Sequence, residues 1–97
     1  MAYAVVTIKR IKDQAAFQEY AEKVAPLIAE HGGRYLVSDP SPEVRDGEFP
    51  YARIVIVEFP TEERARGWYE SAEYQAIMPI RKRAFDANII FAREFRR

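Results

Sequence analysis

Cysteine is absent from this chain of 97 residues. That removes a disulfide framework, a thiolate nucleophile and every sulfur-ligated metal or cluster. Net charge is absent too: 15 Lys and Arg balance 15 Asp and Glu, so the basic field that draws a protein to nucleic acid is missing. One histidine is too few for a multi-histidine metal site. The unbroken apolar stretches are only a few residues long, far short of a membrane span. The opening, MAYAVVTIKR, has no basic segment followed by a long apolar run and does not read as a signal peptide. No H-E-x-x-H, G-x-S-x-G, Walker or dinucleotide fingerprint occurs. The expectation is a cytoplasmic protein without nucleic acid, membrane, metal or cofactor.

What is there reads as a folded globule. The chain is 48% hydrophobic, 13% aromatic and 31% charged, too apolar for disorder. Its length makes one domain, residues 1–97. Residues 3–9 (YAVVTIK) are a short β-branched run, hence a strand. Asp13 then offers a cap. Phe17, Tyr20, Ala21, Val24, Leu27, Ile28 and His31 follow at steps of three and four, predicting an amphipathic helix over 14–31. Pro26 should kink it and Gly32-Gly33 should stop it. A strand is expected over 34–38. A proline-rich loop over 39–52 then carries Asp46-Gly47, a hairpin signal for a short extra ribbon. Residues 53–59 (RIVIVEF) are the strongest strand signal. Thr61 caps a short helix with Glu62 and Glu63 in its first turn. Ser71 caps another, whose inward stripe is Tyr74, Ile77, Met78, Arg81, Ala84 and Phe85, with Pro79 expected to divide it. Residues 88–95 close as a strand.

This order predicts an α+β, ferredoxin-like βαββαβ fold: an antiparallel sheet backed by helices. Alternation within the strands is weak. Val5 with Val6, Ile54 through Val57, and Ile89 through Phe91 are apolar at both parities, so both sheet faces are greasy. Helices cover one face only. The other would expose more apolar area than monomers tolerate, which predicts a homodimer packed sheet against sheet.

Gly32-Gly33-Arg34-Tyr35-Leu36, Arg53, Val57-Glu58-Phe59-Pro60, the block Trp68-Tyr69-x-Ser71-x-Glu73-Tyr74-Gln75, and then Arg81 and Ala84 together resemble the family filed as domain of unknown function 1330. The resemblance runs over nearly the whole chain, and the Trp68 to Gln75 block is its most specific part. The chain departs from the pattern at Thr61, where serine is usual, in the loop beginning at Asp39, which replaces a glycine-rich stretch, and in a more basic end at Arg96-Arg97. The family is similar to the dimeric α+β barrel superfamily, in which two ferredoxin-like sheets close face to face. The resemblance implies that architecture and almost no chemistry. Haem enzymes occur in the wider superfamily, and His31 is the only imidazole this chain has for such a role.

Candidate site residues follow from polar groups set among apolar ones. Arg81 lies on the inward stripe, and Glu58 lies between Val57 and Phe59. Each needs a partner, so the two are candidates for a pair, with Arg81 as an anion clamp and Glu58 as a base. The plain alternative is an ion pair that fixes register, or an arginine whose head reaches solvent. His31 is a candidate acid–base group or, more simply, a cation at the helix C-terminus. Tyr20, Tyr35, Trp68, Tyr69 and Tyr74 suit the wall of a small apolar pocket, though such a set also serves as core. Arg34 stands near the two glycines as a possible anion contact or an ordinary strand-end cation. Ser38 and Ser71 carry no His–Asp pattern. The leading expectation is a homodimeric small-molecule-binding domain, and its strongest form is a cofactor-free enzyme on a small apolar or carboxylated metabolite. The alternative is an interaction module whose dimer interface is its main feature.

Overall fold

The computed structural model describes residues 1–96; Arg97, half of the basic pair at which the chain departs from the family pattern, lies outside them. The described elements are β1 (Ala2–Ile11), α1 (Gln14–Glu30), β2 (Arg34–Asp39), β3 (Arg53–Phe59), α2 (Glu62–Glu70), α3 (Ala72–Ala84) and β4 (Phe85–Arg93). The strands form one antiparallel sheet in the order β2-β3-β1-β4, the ferredoxin-like arrangement. The expected caps are in place. Asp13 Oδ1 accepts the Ala16 N–H at 3.0 Å, Thr61 Oγ1 that of Arg64 at 3.0 Å, and Ser71 Oγ that of Tyr74 at 3.1 Å. Each satisfies a backbone donor that the first helical turn leaves free. Gly32 ends α1 at φ 80°. At Gly33 a Cβ would lie 2.6 Å from Ile28 Cγ2 and 2.8 Å from the Phe59 ring, so glycine lets β2 leave close to the core.

Three local expectations are corrected. α3 runs unbroken through Pro79, as α1 does through Pro26. Both prolines lie on solvent-exposed positions, as do Gln75 and Glu22, whose carbonyls lose their helical partners; water can satisfy them there, so the helices tolerate the missing donors. The Asp46-Gly47 turn forms with Gly47 at φ 81°, but no ribbon flanks it; Pro42 and Pro50 remove ladder donors on either side. β4 begins at Phe85, not at Asn88. The Ala84 carbonyl is taken by the backbone N–H groups of Lys12 (2.7 Å) and Asp13 (3.2 Å), and Phe85, at φ −162°, turns straight into pairing with Ile11.

The register sorts the two faces. Toward the helices point Ala4, Val6 and Ile8 of β1, with Val55, Val57 and Phe59 of β3 and Ala87, Ile89 and Phe91 of β4. α1 contributes Ala16, Tyr20, Val24 and Ile28, α2 Ala65 and Trp68, and α3 Tyr74 and Ala84 to the same core. Toward the opposite face point three cross-sheet rows: Arg34–Glu58–Tyr3–Ala92, Val37–Ile56–Val5–Ile90 and Asp39–Ile54–Thr7–Asn88. The central row is wholly aliphatic and is covered by no element of the chain; Ile90 is 58% exposed.

Candidate functional site

α1 packs chiefly against α3 and stands off the strands beneath it. The gap between α1 and the helix-facing side of the sheet is a cavity of about 120 Å³. Its wall is mostly apolar: Ala4, Val6, Ile8, Val55 and Val57 from the sheet face Val24 and Ile28 from the helix. Five polar side chains interrupt this wall: Tyr20, Tyr35, Ser38, Arg53 and Trp68. Tyr35 and Ser38 are also exposed on the edge strand β2, so the cavity opens on that side. An engineered apolar cavity of about 150 Å³ holds benzene, so the scale here is one small ring or a short acyl chain.

An aromatic seam forms the far wall. Phe17 meets Phe85 at 5.6 Å, Phe85 meets Tyr20 at 5.5 Å, and Trp68 lies 4.7 Å from Tyr74 and 5.6 Å from Phe59. The Tyr20 and Tyr74 hydroxyls are 2.8 Å apart, and Arg81 Nη1 donates to the Tyr74 oxygen over a long 3.4 Å. Burial pushes the Tyr20 phenol well above its usual range, helped by Tyr74 and opposed by Arg81. Burial likewise raises Tyr74, against the hydrogen bond with Tyr20 and the nearby guanidinium. Tyr35 is 46% exposed overall, yet burial around its hydroxyl, with Tyr74 second, pushes its phenol up as well. All three are neutral donors at ordinary pH.

The sequence-predicted residues divide sharply. Tyr20, Tyr35 and Trp68 line the cavity, and Tyr74 and Arg81 stand behind Tyr20. Glu58 does not join them. Its neighbour Val57 points into the cavity, so Glu58 points to the bare face. The expected Glu58–Arg81 pair is therefore not formed: Glu58 Oε1 accepts from Arg34 Nε at 3.2 Å and Nη2 at 3.1 Å. Arg34 is accordingly a cross-strand partner on that face. His31 caps α1 with Nδ1 2.9 Å from the Leu27 carbonyl oxygen, outside the cavity wall. A haem does not fit these residues: the sole imidazole is turned to its own helix end, and the cavity is of single-ring size. Among the described residues no group of three or more His, Asp or Glu could hold a metal, and no helix is long and apolar enough to cross a membrane.

Sequence reasoning passed over Arg53 and Ser38. Arg53 Nη1 donates to Ser38 Oγ at 3.1 Å, and its guanidinium carbon sits 5.9 Å from the centre of the Phe17 ring. Its Nε is buried without a hydrogen-bond partner, and so is Trp68 Nε1. An orphaned buried donor costs about 1–3 kcal/mol, so two on one cavity wall are a marked feature. Arg53 shares the face of Val55, Val57 and Phe59, where a cation is out of place, but that this face turns inward shows only in the fold.

Comparison with solved structures bears out the ferredoxin-like fold of the single chain. A protein of unknown function from Rhodopseudomonas palustris superposes with TM-score 0.79 at 14% identity, over 99% of this chain and 84% of that one. A putative antibiotic biosynthesis monooxygenase from Nitrosomonas europaea gives TM-score 0.67 at 15% identity, over 99% and 100%. An ethyl tert-butyl ether d (ethd) family protein from Bacillus halodurans gives 0.67 at 19%, over 98% and 99%. At such identities the likeness is one of fold. Among curated proteins no match is found. The family model described as Domain of unknown function (DUF1330) matches residues 1–95, and with nearly every residue so covered, the chain belongs to that family.

Proposed function

We propose that this chain is a cytoplasmic, homodimeric small-molecule-binding domain whose ligand enters the cavity between α1 and the sheet. The observation that carries the binding reading is that cavity: an apolar chamber of about 120 Å³ with five polar side chains in its wall, the usual composition of a ligand site. Tyr20, Tyr35 and Trp68 contact the ligand in this reading. Tyr74 and Arg81 act through Tyr20 by fixing the direction of its hydroxyl. The lining holds hydroxyls, an indole and a guanidinium, and among the described residues it holds no carboxylate or imidazole. It is suited to stabilising negative charge on a ligand oxygen rather than to removing a proton. Glu58 and His31 therefore have no part in binding within this reading.

The homodimer rests on the central row of the bare face. Val37, Ile56, Val5 and Ile90 run across all four strands between two rows that carry the charged and polar groups. An aliphatic centre with a polar rim is the anatomy of a protein interface, and a second copy supplies the matching surface. The same row favours the interaction-module reading if the cavity takes nothing.

A thermal-shift screen of small aromatics and carboxylic acids tests the binding half, because a ligand of the folded state raises the melting temperature. We expect at least one compound to raise it in the wild type and to lose its effect in Ala21→Leu, which fills the cavity. No shift from any compound across the screen would leave the interaction module as the better account.

A further inference from the structure

Arg53 is a cation at the wall of a chamber that is otherwise nearly all apolar. Among the described residues no carboxylate lies within ion-pair distance of it. Its position is fixed from three sides. β3 pairing sets it opposite Ile8, the Phe17 ring lies against its guanidinium, and Nη1 is committed to Ser38 Oγ. That bond leaves the Ser38 hydroxyl proton free to donate, because the oxygen is the acceptor. Arg53 Nε has no partner at all. A held guanidinium with a vacant buried N–H, next to a hydroxyl with a spare proton, is a set of donors without an acceptor. What it lacks is a carboxylate.

The second orphan donor lies elsewhere on the same wall. Trp68 is held between Phe59 and Tyr74, and its Nε1 finds no acceptor. Arg53 is placed by Ile8, Phe17 and Ser38, and most of the remaining wall is apolar.

Resting on the binding reading above, we propose that the ligand class is a small planar monocarboxylate, with its anionic head on Arg53 and Ser38 and its ring or acyl body among the valines and isoleucines. The guanidinium edge matches a carboxylate in two parallel hydrogen bonds, which a lysine cannot reproduce.

Benzoate and benzamide test this, having the same shape and differing in charge at neutral pH. Titrations of the folded full chain at pH 7, read by calorimetry and thermal shift, should give benzoate at least tenfold tighter binding than benzamide. Arg53→Met should abolish that preference while keeping benzamide binding. Ser38→Ala, at an exposed position with no core role, should weaken benzoate by about three- to tenfold and benzamide by less, because its neutral carbonyl accepts a weaker hydrogen bond; it preserves the test if Arg53→Met fails to fold. Equal binding of the two probes to the wild type would overturn the carboxylate assignment and leave the small-molecule reading standing. Binding of neither probe, with no shift from any compound in the wider screen, would overturn both.

Discussion

The two faces of this sheet are made from the same kinds of residue and meet different fates. On one, Val55, Val57 and Phe59 lie under the helices, and Phe59 is fully buried. On the other, Ile54 and Ile56 of the same strand are only half-buried and no described helix lies over them, although Ile56 with Val5, Val37 and Ile90 makes an aliphatic row. Hydrophobicity alone does not distinguish the faces; what covers each one does. The helix-covered face has a defect in its packing, the cavity with its two orphaned donors. The bare face offers a rimmed apolar patch. A ligand suits the first and a second copy of the chain suits the second.

The most forceful way to break this comparison is to place a charge in the middle of the bare row. Ile56→Asp should abolish the proposed dimer in sedimentation velocity at micromolar concentration. A two-fold interface receives the change twice, and burying the two unpaired carboxylates costs about 5 kcal/mol or more. An unaltered sedimentation coefficient, equal to that of the wild-type dimer, would move the interface elsewhere. Next in size is Phe59→Ala on the covered face. It deletes a ring that packs on Trp68 at 5.6 Å, and a cost of about 3–5 kcal/mol in urea unfolding is expected. That is a large share of a small domain's stability. A loss below about 1 kcal/mol would mean that the seam collapses to fill the gap.

Much of this was legible in the chain, and the reasons are local. Asp13, Thr61 and Ser71 announce helix starts because a side-chain oxygen two or three residues ahead of a free N–H is a short-range matter. Element order then fixes the topology, because few connections between such elements avoid crossings. The candidate site was half legible. Tyr20 and Tyr74 were found through their helical stripes, and Tyr35 and Trp68 as members of the aromatic set, but Glu58 was joined to the wrong arginine. Its partner depends on which face residue 58 takes, and β3 is apolar at both parities, so the sequence has no alternation to decide it. Arg53 was passed over for the same reason. Once Val57 is known to be buried, residues 53 and 55 go inward with it, and 54, 56 and 58 go outward.

A smaller effect separates the covered face through pH. Burial raises the phenols of Tyr20, Tyr74 and Tyr35, so the folded chain holds their protons more tightly than the unfolded chain does. Their contribution is complete below the ordinary tyrosine value of 10.0 and falls as pH climbs above it, because only the unfolded state then ionises. For Tyr20 the slope is about 1.4 kcal/mol per pH unit. Melting temperature should drop steeply above about pH 10, and Tyr20→Phe should make that fall shallower. An alkaline slope unchanged in Tyr20→Phe would mean that this hydroxyl is hydrated in solution.

The smallest expected effect sharpens the edge of the bare face. Arg34 is 71% exposed and Glu58 16% exposed, joined at 3.1 Å in the row that borders the aliphatic one. Two outcomes separate cleanly for Arg34→Met. If the row is rim, the pair stays wet: the cost is below about 1 kcal/mol and shrinks further as salt is added. If the second copy lies across it, Glu58 is left as a buried, unpartnered carboxylate, and the cost rises to about 3–5 kcal/mol with little salt dependence. We expect the first, because β2 is the edge strand of the sheet and a two-fold partner centred on Ile56 and Val5 reaches that edge last. Urea unfolding of Arg34→Met at low and high salt reads the difference directly. A large, salt-insensitive loss would extend the buried patch outward over Glu58, making its carboxylate part of the interface and no longer of the rim.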